Sequence, residues 1–167
     1  AATAEVIGAV SDRVRRAVEE GLLRYGCVVD PVMCAASGDS LVEPSAVAAI
    51  RSHMLPLARV ATPNRFEAGV LLDGEAPSTL AEVRRAADQI RTRHACASVV
   101  VKGATLAADD VLAGDHLWFG PPRDQGPGAD VTVDVYVDDQ GCLELACSKI
   151  DTRNTHGTGC AFASALA

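Results

Sequence analysis

The sequence predicts an α/β fold in which a mainly parallel sheet is covered by crossover helices. Short apolar runs that fit buried strands alternate along the chain with longer stretches of helical periodicity, and this alternation is typical of parallel sheets. Hydrophobic residues make up 49% of the 167 residues but aromatic residues only 4%. The core is therefore expected to consist of Val, Leu, Ile and Ala, the usual composition of strands buried on both faces. A chain of this length is expected to form one domain.

Helical spacing of apolar residues predicts the helices that cover the sheet. They run from Thr3 to Gly21 or Gly26, from Ser45 to the residue before Pro56, from Glu67 to Leu72, and from a Thr79/Glu82 capping box to Ile90. Ser45 and Thr79 are the expected caps, because a hydroxyl oxygen there accepts an otherwise unpaired N–H of the first helical turn.

Short apolar runs predict the buried strands of the sheet, and each run ends in polar residues. The runs are Cys27–Asp30, Arg59–Thr62 and Ser98–Val101, and the last is expected to end at Lys102-Gly103. Pro31 and Pro63 stop the first two strands, since proline lacks the N–H that a ladder needs. Ligands gather at the carboxyl ends of parallel strands, so Asp30, the Thr62-Pro63-Asn64 segment and Lys102 are expected to converge on one crevice.

The pattern changes after Leu106. Residues 106–130 are rich in Pro and Gly towards their end, and we expect a mobile insertion loop there. Valines then alternate with polar residues from Val131 to Val137, and Asp138–Gly141 can turn the chain back into Leu143 and Leu145. This alternation predicts a half-exposed hairpin near 131–147 at one edge of the sheet.

Charge, hydropathy and cysteine spacing exclude several classes of function. A net charge of -7 argues against nucleic-acid partners, which need a basic face. No apolar run approaches the roughly 20 residues of a membrane span, so no membrane partner is expected. The six cysteines form no C-x-x-C pair and no zinc spacing. They indicate reduced thiols and an intracellular protein, and the pairs Cys27/Cys34 and Cys142/Cys147 are taken as small hydrophobic residues.

The most informative segment is Gly157-Thr158-Gly159, which directly precedes a small, apolar, helix-favouring run. Glycines let successive N–H groups point to one spot, and the following helix places its positive dipole end there. Such a corner suits a phosphate, although a short glycine pair alone also fits a tight turn. Cys160 falls where the dipole favours a thiolate, the alternative being a small buried hydrophobe. His156 is taken as a turn or packing residue.

Polar residues at the strand ends suit the same chemistry. Asn64 and Glu67 are spaced to face the same way, and an amide oxygen with a carboxylate suits magnesium and its waters. Helix capping is the alternative for this pair and is favoured from these residues alone. Lys102 can neutralise a phosphate or be an ordinary strand end. Asp30 can bind magnesium through water or cap a turn.

Together these segments resemble the hydroxymethylpyrimidine/phosphomethylpyrimidine kinase family of thiamin biosynthesis. The matching segments are Val28-Val29-Asp30-Pro31-Val32-Met33 with Ser37-Gly38, Leu55–Ala58, Thr62–Ala68, Val99-Val100-Val101-Lys102-Gly103 and Asn154-Thr155-His156-Gly157-Thr158-Gly159-Cys160. The resemblance implies a ribokinase-like (Rossmann-like) three-layer fold. The chain departs from the family at Gly103-Ala104-Thr105, where Gly-Gly-His is usual.

The resemblance also implies roles for individual residues. Asp30, Asn64 and Glu67 would organise Mg²⁺ and its waters, and Lys102, Asn64, Glu67 and Thr155 would contact ATP. Gly157, Thr158 and Gly159 would form the anion hole for the transferring phosphoryl group. Cys160 matches the position where sugar-kinase relatives carry an aspartate base, and Met33 would border the substrate.

The implied reaction is ATP-dependent phosphorylation of 4-amino-5-hydroxymethyl-2-methylpyrimidine and of its monophosphate. A pyridoxal or pyridoxamine kinase is the nearest alternative, and a non-catalytic truncated binding module is the other. Residues 1–167 correspond to the central and C-terminal part of one such kinase domain, so we expect an incomplete fold and poor activity from the chain alone. A homodimer, a fused thiamin-phosphate synthase domain, and a cytoplasmic or plastid location are further expectations.

Overall fold

The computed structural model describes residues 3–24, 26–33, 42–106, 116–119, 131–148 and 157–167. The helices are α1 (Ala4–Glu19), α2 (Pro44–Ala49), α3 (Arg65–Leu71), α4 (Leu80–Arg93) and α5 (Thr158–Leu166), with a π-helix Ile50–Met54 and a 3-10 turn Leu55–Leu57 after α2. The strands are β1 (Cys27–Val29), β2 (Ala58–Ala61), β3 (Val99–Leu106), β4 (His116–Phe119), β5 (Val131–Val137) and β6 (Cys142–Ser148).

The strands form a six-stranded sheet in the order β1-β2-β3-β5-β6-β4. Strands β1, β2 and β3 are parallel neighbours, as the alternating pattern predicts. Strand β5 pairs antiparallel with β3 and with β6, and β4 pairs parallel with β6. The hairpin is therefore confirmed, but it does not form the edge of the sheet, because β4 lies beyond β6.

Strand β4 lies inside the segment for which the sequence predicts only a loop. Its four residues pair with Glu144–Cys147 of β6, a partner so distant in sequence that no local pattern indicates it. The rest of residues 107–130 lies outside the described part of the chain, so the expected mobility of this segment stays a prediction.

The predicted helices all form, but their ends differ. Helix α3, predicted from Glu67 to Leu72, begins at Arg65, because the Asn64 side chain caps it two residues earlier than expected; in α2, proline explains the differences. Helix α2 begins at Pro44 after Glu43, and not after a Ser45 cap, because proline fits the first helical position without losing a hydrogen bond. The helix continues as the π-helix and passes Pro56 as a 3-10 turn. The Thr79/Glu82 capping box of α4 is present as predicted.

The hydrophobic core joins residues of the sheet to residues of α1, α2, α3 and α4, and it consists largely of valine, leucine, isoleucine and alanine. In β5 the four valines from Val131 to Val137 are buried, and the residues between them are partly exposed. Helix α1 buries fewer of its apolar side chains than their helical spacing predicts, because Ile7 is buried but Val10 and Val18 are exposed. The cysteines of the described segments are all free thiols. Among those segments, no helix has the length and apolar character needed to cross a membrane.

Candidate active site

The carboxyl ends of β1 and β2 and the middle of β3 bring three polar side chains together. The Lys102 Nζ lies 2.8 Å from Oδ1 of Asp30, and the Thr62 hydroxyl donates a hydrogen bond to the same oxygen at 2.8 Å. The side chains of Asp30 and Lys102 are each 14% exposed. A pair this sheltered is screened less by solvent than a surface pair. The structure thus brings together the two charged residues that the sequence singles out, and it adds the hydroxyl of Thr62, which the sequence indicates only as part of a strand end.

Lys102 lies within β3 and not at its end, contrary to the prediction that the strand stops at Lys102-Gly103. The register between β3 and β5 shifts between Val101 and Ala104, and Gly103 has a φ of 77°. A bulge of this kind re-aims side chains and favours glycine at a positive φ. The Lys102 N–H donates to the Pro63 carbonyl at 2.9 Å, which ties the bulge to the end of β2.

Asp134 of β5 holds the other side of this bulge by a hydrogen bond. Asp134 was not identified as a site residue from the sequence. Its Oδ1 accepts the Gly103 N–H at 2.7 Å. Burial raises the pKa of Asp134, while the Gly103 N–H and the nearby charge of Lys102 lower it. The residue lies at a polar position of an alternating strand, a pattern that indicates an ordinary solvated face and gives no signal of a role.

Asn64 and Glu67 form a capping box at the start of α3. The Asn64 Oδ1 accepts the Glu67 N–H at 2.9 Å, and the Glu67 Oε2 accepts the Asn64 N–H at 2.7 Å. Glu67 is only 2% exposed. The pKa of Glu67 is raised, mainly because the carboxyl group is buried. The N–H groups of Asn64 and Met33 and the charge of Lys102 partly offset this rise, and the charge of Asp30 adds to it. The capping alternative is therefore what the geometry shows directly, and it fixes the carboxylate beside the Asp30–Lys102 pair.

Met33 contributes its backbone to this cluster. Its N–H donates to the Glu67 Oε1 at 3.3 Å, which ties the segment after β1 to the start of α3. The Met33 side chain is 1% exposed and belongs to the hydrophobic core. Its expected contact with a substrate stays a prediction.

The start of α5 completes the site. Gly157 has a φ of 77°, in the left-handed region, and α5 begins directly after it. A Cβ built on Gly159 would lie 3.2 Å from the Lys102 Nζ, so the lysine reaches the first turn of α5. Cys160 in that turn is exposed, which argues against its alternative as a buried hydrophobe. Thr155 and His156 lie outside the described residues.

This arrangement joins a cation, a helix N-terminus and two carboxylates at one end of the sheet. The lysine and the positive dipole end of α5 both attract anions. In the segments that the structure describes, no three His, Cys, Asp or Glu side chains are placed to hold a metal ion. The donor set of Asp30, Glu67 and Asn64 instead suits Mg²⁺, which commonly keeps several waters and uses one or two carboxylates.

A cavity of about 350 Å³ lies elsewhere, between α4 and the turn of the β5–β6 hairpin. Its lining includes Arg84, Arg91 and Asp138. Since Val137 pairs with Val99 at the start of β3, this cavity is at the opposite end of the sheet from Lys102. Its lining mixes both signs of charge, and it takes no part in the cluster described above.

Comparisons with known proteins agree with the chemistry of the site. The sequence profile of the phosphomethylpyrimidine kinase family matches residues 3–167. The chain is 37% identical over 164 residues to a hydroxymethylpyrimidine/phosphomethylpyrimidine kinase of Rhizobium meliloti, covering 96% of this chain and 53% of that protein. It is 39% identical over 140 residues to a chloroplastic thiamine biosynthetic bifunctional enzyme of Arabidopsis thaliana, covering 84% of this chain and 23% of that enzyme.

The fold is also that of solved vitamin kinases. The pyridoxal kinase of Bacillus subtilis, solved as an ADP complex, superposes with a TM-score of 0.70 at 28% identity, covering 98% of this chain and 52% of that one. A phosphomethylpyrimidine kinase of Clostridium difficile gives a TM-score of 0.62 at 21% identity, which shows the fold alone. The fold is thus the ribokinase-like one that the motifs imply, and the chain spans about half the length of the single-function kinases it matches. With the family profile matched from residue 3 to residue 167, the chain belongs to the phosphomethylpyrimidine kinase family.

Proposed function

We propose that this chain carries the phosphoryl-transfer centre of an ATP-dependent kinase. Its acceptors are 4-amino-5-hydroxymethyl-2-methylpyrimidine and the corresponding monophosphate, on the route to thiamin. One observation carries the proposal: the Lys102 Nζ lies between the Asp30 carboxylate and the first turn of α5. Phosphoryl transfer needs positioning and charge neutralisation more than covalent chemistry.

The start of α5 receives the transferring phosphoryl group in this proposal. Gly157 turns the chain so that the first N–H groups of the helix face the site, and Thr158 and Gly159 supply backbone donors. Lys102 neutralises charge on the nucleotide phosphates from the opposite side. The absence of a side chain at Gly159 leaves room for Nζ, since a Cβ would lie only 3.2 Å away. Thr155, two residues before Gly157 in the sequence, is also proposed to contact ATP.

Mg²⁺ fits the remaining donors. Asp30, Asn64 and Glu67 would hold it, mostly through water, because the capping box already uses oxygens of Asn64 and Glu67. When bound, the ion would supply positive charge that offsets the negative charge of the ATP phosphates. The chain's own contribution is to fix the two carboxylate oxygens of Glu67, which accept the Met33 and Asn64 N–H groups.

Cys160 is proposed as the base for the first acceptor. A hydroxymethyl group must lose a proton as it attacks, whereas a monophosphate is already an anion and needs no base. Cys160 is exposed in the first turn of α5, the turn that Lys102 reaches. A cysteine here is compatible with both phosphorylations.

Pyridoxal is the second candidate acceptor, because the Bacillus subtilis pyridoxal kinase superposes over 98% of this chain. The pyrimidine is preferred, because the family profile that matches residues 3–167 and the relatives that are 36% and 37% identical all carry the pyrimidine kinase name. Two bifunctional relatives support a fused synthase domain in the whole protein. The chloroplastic relative supports a plastid location if the source is a plant or alga, and a homodimer also remains part of the proposal.

The test incubates the chain with ATP, Mg²⁺ and each acceptor, and quantifies phosphorylated products by liquid chromatography and mass spectrometry. We expect slow formation of the pyrimidine mono- and diphosphates, with little pyridoxal phosphate. Lys102→Met should abolish product, and Arg85→Met should not, because Arg85 is an exposed residue of α4 and its loss changes the net charge equally. Preferred phosphorylation of pyridoxal would support the second candidate. Failure to bind ATP or to form any product would overturn the kinase proposal.

A further inference from the structure

We propose that Asp134 is a positioning residue that holds the β3 bulge and thereby aims Lys102 into the site. The consequence for nucleotide binding rests on the proposed function. The structural part, which concerns the place of the lysine, does not.

The register of the two strands defines the bulge. Val101 pairs with Val135 and Ala104 pairs with Val133, so Lys102 and Gly103 together lie opposite the single residue Asp134. Two residues opposite one is the defining feature of a β-bulge. Asp134 is thus the partner of the bulge by topology, before any side-chain contact is considered.

The hydrogen bonds show what holds the bulge. On one side, the Lys102 N–H reaches the Pro63 carbonyl at 2.9 Å. On the other side, the Gly103 N–H reaches the Asp134 carboxylate at 2.7 Å. A side-chain oxygen therefore replaces the backbone acceptor that a regular ladder would offer. Hydrogen bonds to charged acceptors are shorter and stronger than neutral ones, so this contact is the stronger of the two.

The position of Lys102 depends on the extra residue. Side chains alternate between the faces of a strand, so a one-residue slip would move Lys102 to the opposite face. With the bulge in place, its Nζ meets Asp30 at 2.8 Å and lies beside Gly159. The nearby positive charge of Lys102 also opposes the rise that burial causes in the pKa of Asp134. The carboxylate thus acts on the site through the backbone and does not have to touch a substrate.

The chain contains only two lysines, Lys102 and Lys149, which permits a direct test without nucleotide. Lysine labelled with ¹³C at Cε gives two NMR signals, and Lys149→Arg assigns them. We expect Asp134→Ala to move the Lys102 signal to the position of a freely solvated lysine. Asp139→Ala should leave it in place, because Asp139 is an exposed residue in the turn of the same hairpin. An unmoved Lys102 signal in folded Asp134→Ala would overturn the proposal.

Asp134→Asn keeps the test decisive if Asp134→Ala does not fold. The amide oxygen of Asn can still accept the Gly103 N–H, so the Lys102 signal should stay near its wild-type position. A signal shifted to the solvated position in folded Asp134→Asn would overturn the hydrogen-bond role. Binding of ATP with Mg²⁺, measured by calorimetry, should weaken about tenfold in Asp134→Ala. If ATP does not bind the wild-type chain, the proposed function fails, while the NMR signals still decide the position of Lys102.

Discussion

Replacing Gly159 by alanine is expected to separate the stability of the chain from its nucleotide affinity. Gly159 lies in the first turn of α5, and its φ is not in the left-handed region. Alanine in a helix is favoured over glycine by up to about 1 kcal/mol. The folded state of Gly159→Ala should therefore be as stable as the wild type or slightly more stable.

The affinity for ATP should change in the opposite direction. The added Cβ would lie 3.2 Å from the Lys102 Nζ, which is closer than ordinary contact. Because Nζ ends a flexible side chain, it can move away at little cost to folding. A charge-assisted hydrogen bond from Lys102 to a nucleotide phosphate would contribute about 1.5–3 kcal/mol, and losing half of it would weaken binding about three- to tenfold.

The assay measures urea unfolding by circular dichroism and ATP binding with Mg²⁺ by calorimetry. Gly8→Ala is the matched control, because Gly8 lies in α1 and a Cβ there would meet nothing within 4 Å. This control should gain a similar stability and leave ATP binding unchanged. The reasoning is refuted if Gly159→Ala binds ATP within about twofold of the wild type.

Three further predictions concern the base, the core and pH. Cys160→Ala should slow phosphorylation of the hydroxymethyl acceptor about a hundredfold but that of the monophosphate far less, and equal losses in product assays would contradict the proposed base. Val133 is fully buried, so Val133→Ala should lower the free energy of unfolding by about 2 kcal/mol. Val10 is exposed, so the control Val10→Ala should change the free energy of unfolding by less than about 0.5 kcal/mol. Urea unfolding of both variants measures the difference. Burial holds the pKa of His94 below its ordinary value of 6.5, so its protonation opposes folding. Stability should fall between about pH 7 and pH 5, and His94→Gln should lose less stability over the same range; an equal loss would argue against this assignment.

Local patterns were sufficient to predict most of the fold. The Thr79/Glu82 capping box marks the start of α4, and valines at every second position mark β5. Both signals depend on neighbouring residues, which is why the sequence alone reveals them. The π-helix and 3-10 turn around Pro56 adjust a helix whose existence was already indicated.

What could not be predicted depends on partners far apart in sequence. Strand β4 forms because it pairs with β6. Four residues are too few to show a periodicity from which this pairing could be predicted. The bulge in β3 arises from the register with β5, so the expected end of the strand at Lys102-Gly103 was wrong. Asp134 was missed for the same reason, since its acceptor role exists only across the sheet.

The two interpretations of Asn64 and Glu67 turn out not to exclude each other. Their capping box stabilises the start of α3, and helix capping is the alternative to metal binding that the sequence favours for these two residues. Yet a carboxylate that is to organise an ion and its waters must be held in one orientation, and the Asn64 and Met33 N–H groups hold Glu67 in that way. Burial raises the pKa of Glu67, so its ionised form is costly without a cation nearby. Helix capping therefore pre-organises the carboxylate beside Lys102 and Asp30, and evidence for the cap does not count against the proposed role in catalysis.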